Sequence, residues 1–316
     1  MTPLEFETLH APRWSEFEGL LGKSAKELDA ERFLSLYRAC CEQLALAQAR
    51  EFPAQIIERL SVMTAQGHQL VYRQSDFGLA RLGRVLLRQF PAVVRAHRGY
   101  VLAAALILLV PGLALGIATY RQPDLILSLL DSRTVETFEH MYAPSAEVIG
   151  RARDSGSNWL MFGFYIMNNI GIAFQCYVTG ILFGVGSLFF VGYNGALGGM
   201  VAGYVTALGF SGTFFPFVAT HSAFELTAIV LSGAAGLRIG HSVLLPGRQP
   251  RLLALQTAAR ETSVMVFGAA AMLVIAAAIE AFWSSAAWVE PTAKYLCALA
   301  CWTLVGLFFL RRPHAS

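Results

Sequence analysis

The chain has 316 residues, 55% hydrophobic and only 14% charged, a balance that takes it out of the ordinary soluble class. Lys and Arg number 24 against 21 Asp and Glu, and a net charge of +3 is too small to suggest a nucleic-acid partner. The 5 cysteines show no C-x-x-C spacing, which argues against a disulfide framework or a zinc site.

Residues 1–98 contain no long apolar run, and no cleavable signal peptide opens the chain, so the first membrane segment is expected to be an uncleaved anchor. This region is expected to be a helical domain in the cytosol. Ser24 and Glu27 have capping-box spacing ahead of a helix with Phe33, Leu36, Tyr37, Cys40, Leu44 and Ala47 on one face. Pro53 can open a second helix, with Ile56, Leu60, Met63, Gly67 and Leu70 as its apolar side. A third is predicted over 79–98. There Leu79, Leu82, Leu86, Phe90 and Val93 oppose Arg81, Arg84, Arg88 and Arg95, either as a solvated surface or as a juxtamembrane face meeting lipid headgroups. The neighbouring Cys40 and Cys41 read as packing residues, as do Cys297 and Cys301 further on.

From residue 99 the chain reads as an all-α polytopic bundle of about six transmembrane helices. The predicted spans are 99–120, 159–192, 194–209, 214–237, 263–283 and 294–310. Residues 121–158 are polar and partly amphipathic, and are expected to form one or two short helices outside. Asn194-Gly195 is expected to be the tight inner turn between spans two and three. A basic loop with Arg238, His241, Arg248, Arg251 and Arg260 separates spans four and five. Cytosolic flanks then hold eleven arginines against five basic residues outside, which supports both termini in the cytosol. Trp159, Trp283 and Trp288 fall near the outer interface.

The most informative stretch is 214–240, where His221 and Glu225 lie four residues apart on one face of a membrane helix. Ionisable groups inside a bilayer are costly and mark functional candidates. Topology puts Asn168 and Asn169 at a similar depth, with Glu280 comparable, and Gln175 follows on the second span. Three readings stand for this polar cluster: a hydrogen-bonded clasp, an ion or proton pathway, or a metal or catalytic centre. The last lacks an H-E-x-x-H or other accompanying ligand cluster, so no catalytic residue, metal or cofactor is assigned. Gly209-Phe210-Ser211-Gly212 resembles a rhomboid-protease string, but it directly precedes the helix of His221, which speaks against a serine–histidine dyad. Gly195, Gly199 and Gly203 repeat every fourth residue, as do Gly180 and Gly184, and Ser232, Gly236 and Gly240 continue the pattern. Such small-residue faces let helices approach closely, either within the chain or across a homo-oligomer seam.

These residues resemble the stage II sporulation protein M family. The likeness is carried by LDAERFLSLYRACCEQLALAQAR, GHQLVYR, DSRTVETFEHMYAP and Asn168–Gly184. It is strongest in YNGALGG followed by HSAFELTAIVLSGAAGLRIG. Asn194, Gly195, His221 and Glu225 match the family's motif. The resemblance implies a non-enzymatic multi-pass protein of the bacterial cytoplasmic (inner) membrane. In endospore formers the family member looks like a scaffold holding peptidoglycan-degrading enzymes at the membrane, and homologues occur in bacteria that never sporulate. The first expectation is therefore a scaffold whose partners are membrane lipids and envelope or cytosolic proteins. The alternative is a transporter or channel with a polar path through Asn168, Gln175, His221 and Glu225.

Overall fold

The computed structural model describes residues 2–22, 29–73, 79–144, 158–286 and 288–311, and every regular element among them is helical. The chain divides into two units, Met1–Leu82 and Gly83–Ser316.

The first unit is built on three helices: α1 (Pro3–Leu21), α2 (Ala30–Ala49) and α3 (Ala54–Arg73). A reciprocal capping box opens α1. The Thr2 hydroxyl accepts from the Glu5 amide at 3.3 Å, and the Glu5 carboxylate accepts from the Thr2 amide at 2.8 Å. Phe6, Trp14 and Phe17 from α1 mesh with Phe33, Leu36, Cys40 and Ala47 of α2 and with Ile56, Leu60 and Met63 of α3. The predicted faces of α2 and α3 are thus the buried ones. α1 has no counterpart among the predicted elements: Pro12 reads as a helix breaker, yet the helix runs through it. Two forked pairs, Arg32–Glu16 at 2.7 Å and Arg59–Glu18 at 3.0 Å, lie on the surface of this unit. Burial pushes the Cys40 thiol up to about 11, so it remains a packing group and not a nucleophile.

Ser24 and Glu27 lie outside the described residues. The N-cap observed for α2 is Asp29, whose carboxylate accepts from the Glu31 and Arg32 amides at 3.1 and 3.4 Å. Asp29→Ala is expected to lower the stability of this unit by about 1 kcal/mol, a roughly fivefold rise in the open population. Hydrogen exchange of α2 amides in the full-length chain measures it.

Between residues 79 and 98 the structure corrects the predicted helix. α4 (Leu79–Arg84) gives way to a π-helical turn, Val85–Gln89, before α5 (Phe90–Ala96). The wider turn breaks the apolar stripe: Leu82 and Leu87 are exposed, while Phe90, Pro91 and Val94 are buried. From Gly83 onward this segment belongs to the second unit, not to a 1–98 domain. The Phe90 ring packs on Gly268 and on the rings of Phe308 and Phe309. Arg84 and Arg88 are exposed. Arg95 is not. Its guanidinium donates to the carbonyls of Phe309 and Arg311 at 3.2 and 2.9 Å, where it caps the last helix. The Arg81 side chain lies outside the described residues.

Among the described residues, five stretches are long and apolar enough to cross a membrane. They are α6 (Arg98–Arg121), α9 (Val185–Ala207), α10 (Ser211–Leu244), α11 (Arg251–Ile279) with its π-helical continuation Glu280–Ser284, and α12 (Pro291–Leu310). The remaining long helix, α8 (Asn158–Val178), is diluted by Asn168, Asn169 and Gln175 and is not among them. Direction nevertheless makes it a crossing. Leu108, Gly112 and Gly116 of α6 face Gly195, Gly199 and Gly203 of α9 in the same order, so the two helices run parallel. The chain must return between them, and α8, packed on α9, α10 and α11, is the element that returns.

Two span boundaries differ from the sequence reading. The run 159–192 is not one helix: α8 stops at Val178 and the chain reverses through Thr179–Gly184, with Phe183 at φ 56° and Gly184 at φ 83°. Asn194-Gly195 is not a turn but lies inside α9. The reversal TGILFG is as apolar as its flanks, so hydropathy does not reveal it. The expected basic loop is also mostly helical, since α10 continues to Leu244 and α11 begins at Arg251. At 34 residues α10 is about 51 Å long. That exceeds a hydrocarbon core of about 30 Å. Its end carries Arg238, paired to Glu261 at 2.8 Å.

The glycine faces close the bundle. A Cβ on Gly195, Gly199 or Gly203 would fall on the carbonyl oxygens of Leu108, Gly112 and Gly116 respectively. The Cα–H bonds that replace those Cβ atoms point at the same oxygens, the recurring geometry of weak Cα–H···O contacts. Gly180 and Gly184 approach Gly236 and Gly240 in a second close crossing, where the reversal meets α10. Both faces are covered within the chain, so they serve intramolecular packing.

Candidate functional site

Over the start of α10 lies the segment between α6 and α8. Pro123–Ser128 is a short 3-10 turn, and α7 (Ser132–Tyr142) is capped by the Asp131 carboxylate, which accepts from the Thr134 amide at 3.0 Å. Tyr142 packs edge-on against Phe214 and Phe217, its carbonyl accepts from the Thr213 hydroxyl, and Glu139 accepts from the Tyr204 hydroxyl at 2.5 Å. These contacts seat α7 on the ends of α9 and α10.

Below Tyr142 a cleft of about 650 Å³ runs between α6, α9 and α10. Its walls are glycine faces and apolar side chains, among them Leu109, Leu113 and Ile117, which are themselves exposed on the outside of α6. A cleft bounded by such residues opens toward lipid. Its floor is different. His221, Glu225 and Glu280 contribute one ligand-type atom each, all within 4.8 Å of one another. The i,i+4 spacing on α10 brings Glu225 Oε2 to 3.7 Å from His221 Nε2.

The π-helical turn Glu280–Ser284 supplies the other half. It lets Glu280 face the cleft while Ser284, four residues on, meets the far side of the imidazole, with Nδ1 and Oγ 3.0 Å apart. Single π-turns inside α-helices recur at functional sites, because the extra residue re-aims side chains at the cost of regular hydrogen bonding. The Lys294 ammonium donates to the Ser284 carbonyl at 2.8 Å, and the Thr220 hydroxyl donates to the Lys294 carbonyl at 3.2 Å, so α12 braces the turn. His221 is only 4% exposed and Lys294 1%; Glu225 and Glu280 are half-buried. Phe217 stands edge-on to the imidazole, with ring centroids 5.4 Å apart.

The predicted cluster therefore divides. His221 and Glu225 share a site with Glu280, which sequence placed only at a comparable depth. Asn168 and Asn169 hydrogen-bond each other on α8 at 2.9 Å and do not line the cleft. Gln175 is exposed further along α8 and also stands apart. Ser284 and Lys294 were not anticipated; a lysine in the first turn of a predicted span was the available signal. Ser211 opens α10 itself, about 15 Å along the helix from His221, so a serine–histidine dyad is geometrically out of reach.

Neither a curated protein nor a solved structure matches the chain. Two family models do. Residues 4–73 match a domain of unknown function (DUF8413), which covers the segments 28–50 and 67–73 that resembled the sporulation family above. Residues 104–285, from α6 to the π-turn beneath the cleft, match Stage II sporulation protein M, so more than half of the chain, including His221, Glu225 and Glu280, identifies it as a member of that family.

Proposed function

We propose that this chain is a non-enzymatic scaffold of the bacterial inner membrane, with both termini in the cytosol, that organises envelope or cytosolic partners. The observation carrying this reading is the pairing of a separately cored helical unit, Met1–Leu82, with a bundle locked by backbone-to-backbone glycine crossings. A rigid bundle suits an anchor better than a protein that must rearrange to move a solute. The first unit offers a docking surface on the inner side, and α7 offers one on the outer side. The distribution of arginines supports the orientation.

A second reading, transporter or channel, draws on the ionisable floor of the cleft. The remainder of its expected path, Asn168 and Gln175, stands elsewhere on α8. Reconstitution into liposomes containing a pH-sensitive dye separates the two. For a scaffold, wild-type protein produces no flux above empty vesicles, while His221→Ala and Glu225→Ala lower the thermal midpoint of the solubilised protein. Flux that depends on pH, and is lost in a well-folded His221→Ala variant, would replace the scaffold with the transporter.

A further inference from the structure

His221, Glu225 and Glu280 converge at the floor of the cleft. Nε2 of His221 is 3.7 Å from Glu225 Oε2. A hydrogen bond between nitrogen and oxygen spans about 2.7–3.2 Å. The groups are nonetheless close, with all three ligand-type atoms within 4.8 Å of one another at the floor of the cleft. Two carboxylates this near each other are relieved either by a shared proton or by a cation held between them, and an imidazole nitrogen beside them adds a third donor suited to a cation.

We propose that these three side chains bind a divalent metal ion of the zinc class at the floor of the cleft. An ion held at about 2.0–2.2 Å by nitrogen and oxygen donors keeps tetrahedral ligands roughly 3.3–3.6 Å apart, so His221 and Glu225, 3.7 Å apart, nearly have the spacing, and a Glu280 oxygen lies within 4.8 Å of both. The imidazole is oriented for the task. Its Nδ1 faces Ser284 Oγ at 3.0 Å, which leaves Nε2 directed at the carboxylates, the outer-shell arrangement that fixes a ligating histidine's tautomer. The brace from Lys294 to the Ser284 carbonyl holds that outer shell in place.

The donor set selects the class of ion. Calcium and magnesium take oxygen ligands, whereas one imidazole with two carboxylates and no thiolate suits Zn²⁺ and its borderline neighbours. Three protein ligands leave a fourth position toward the cleft. The ion would bridge α10 to the end of α11, which the contact of His221 with Ser284 already brings together. This goes beyond the scaffold reading and does not depend on it.

The test uses the full-length protein in detergent, stripped with chelator and then equilibrated with Zn²⁺. Elemental analysis should find one equivalent per chain, and X-ray absorption should show only nitrogen and oxygen neighbours. Glu225→Gln and Glu280→Gln should each weaken binding at least tenfold while eluting as the wild type does. Ser284→Ala should weaken it about tenfold through the loosened imidazole. A Cys40→Ser, Cys41→Ser double variant should bind as well as the parent. Cobalt substitution of the unmutated protein should give the visible absorption of a tetrahedral site, a readout that needs no variant to fold. A folded wild type that retains no more zinc than the Glu225→Gln, Glu280→Gln double variant, gives no such cobalt spectrum, or shows sulfur around the metal overturns the proposal. None of these results bears on partner docking or flux, so the scaffold reading survives or fails separately.

Discussion

Gly199→Ala is expected to unfold or loosen the membrane unit, while Gly198→Ala, one residue away, leaves it as stable as the parent or slightly more so. The contrast follows from what each added methyl would meet. At Gly199 it would fall on the Gly112 carbonyl oxygen, and the nearest atoms are all backbone, so no side chain can give way. At Gly198 nothing lies within 4 Å. There the helix gains roughly 0.8–1 kcal/mol of propensity relative to glycine. Relief at Gly199 requires α6 and α9 to separate along their whole length, and membrane helices hold together mainly through such contacts. Overpacking of this kind costs about 1–3 kcal/mol where side chains can shift, and the rigid backbone puts Gly199→Ala at or above the top of that range. Gly116→Ala should fall between the two, since its added atom would stand 3.0 Å from the Gly199 carbonyl oxygen. Thermal midpoints of the purified variants, followed by size-exclusion recovery, should rank Gly198→Ala first, Gly116→Ala second and Gly199→Ala last. Equal midpoints for the two α9 variants would mean that this seam does not hold the bundle.

Half of that seam was visible in the sequence. The four-residue repeat Gly195, Gly199 and Gly203 announces a close helix contact, but its partner on α6, Gly112 and Gly116, sits in a run so uniformly apolar that neither glycine stands out. The spans are similarly legible where hydropathy falls at their ends and illegible where it does not. Thr179–Gly184 turns the chain without a polar residue beyond Thr179, because Phe183 and Gly184 adopt left-handed backbone angles that hydropathy does not encode. Asn194-Gly195 has turn chemistry on paper. In α9 the glycine is used for close approach, and the asparagine donates back to the Phe190 carbonyl at 2.7 Å. At the cleft, His221 and Glu225 are found by helical spacing alone, since both belong to one helix. Glu280 and Ser284 reach the same imidazole from another helix through a π-turn, and a local register shift leaves no periodic trace. Asn168 and Asn169 had the right depth, yet depth fixes only one coordinate of a side chain in a bundle.

The other large effect concerns the first unit. Trp14→Ala is expected to unfold Met1–Leu82 near physiological temperature while leaving the membrane unit monodisperse. Trp14 is 1% exposed and sits among the rings of Phe6 and His10, with the Arg59 guanidinium 5.4 Å above it. Its indole N–H donates to Gln43 Oε1 at 2.6 Å, and Gln43 is itself buried. Truncation therefore opens a large cavity and strips a buried amide of its donor. The cavity costs about 3–5 kcal/mol, and the abandoned amide adds about 1–3 kcal/mol. A domain of this size has only about 5–15 kcal/mol in total, so a loss of about 4–8 kcal/mol removes most of the stability of a unit at the lower end of that range. Trp14→Phe keeps most of the volume and loses the hydrogen bond, and should cost less than half as much. Limited proteolysis of the full-length variants in detergent reads the result, with cleavage inside α1–α3 accelerated in Trp14→Ala and an intact membrane fragment remaining. Because the two units have separate cores, the same variant also tests the scaffold. Partners held on the inner side should be lost with Trp14→Ala and retained with Gly198→Ala, whereas a transporter would keep its activity in both.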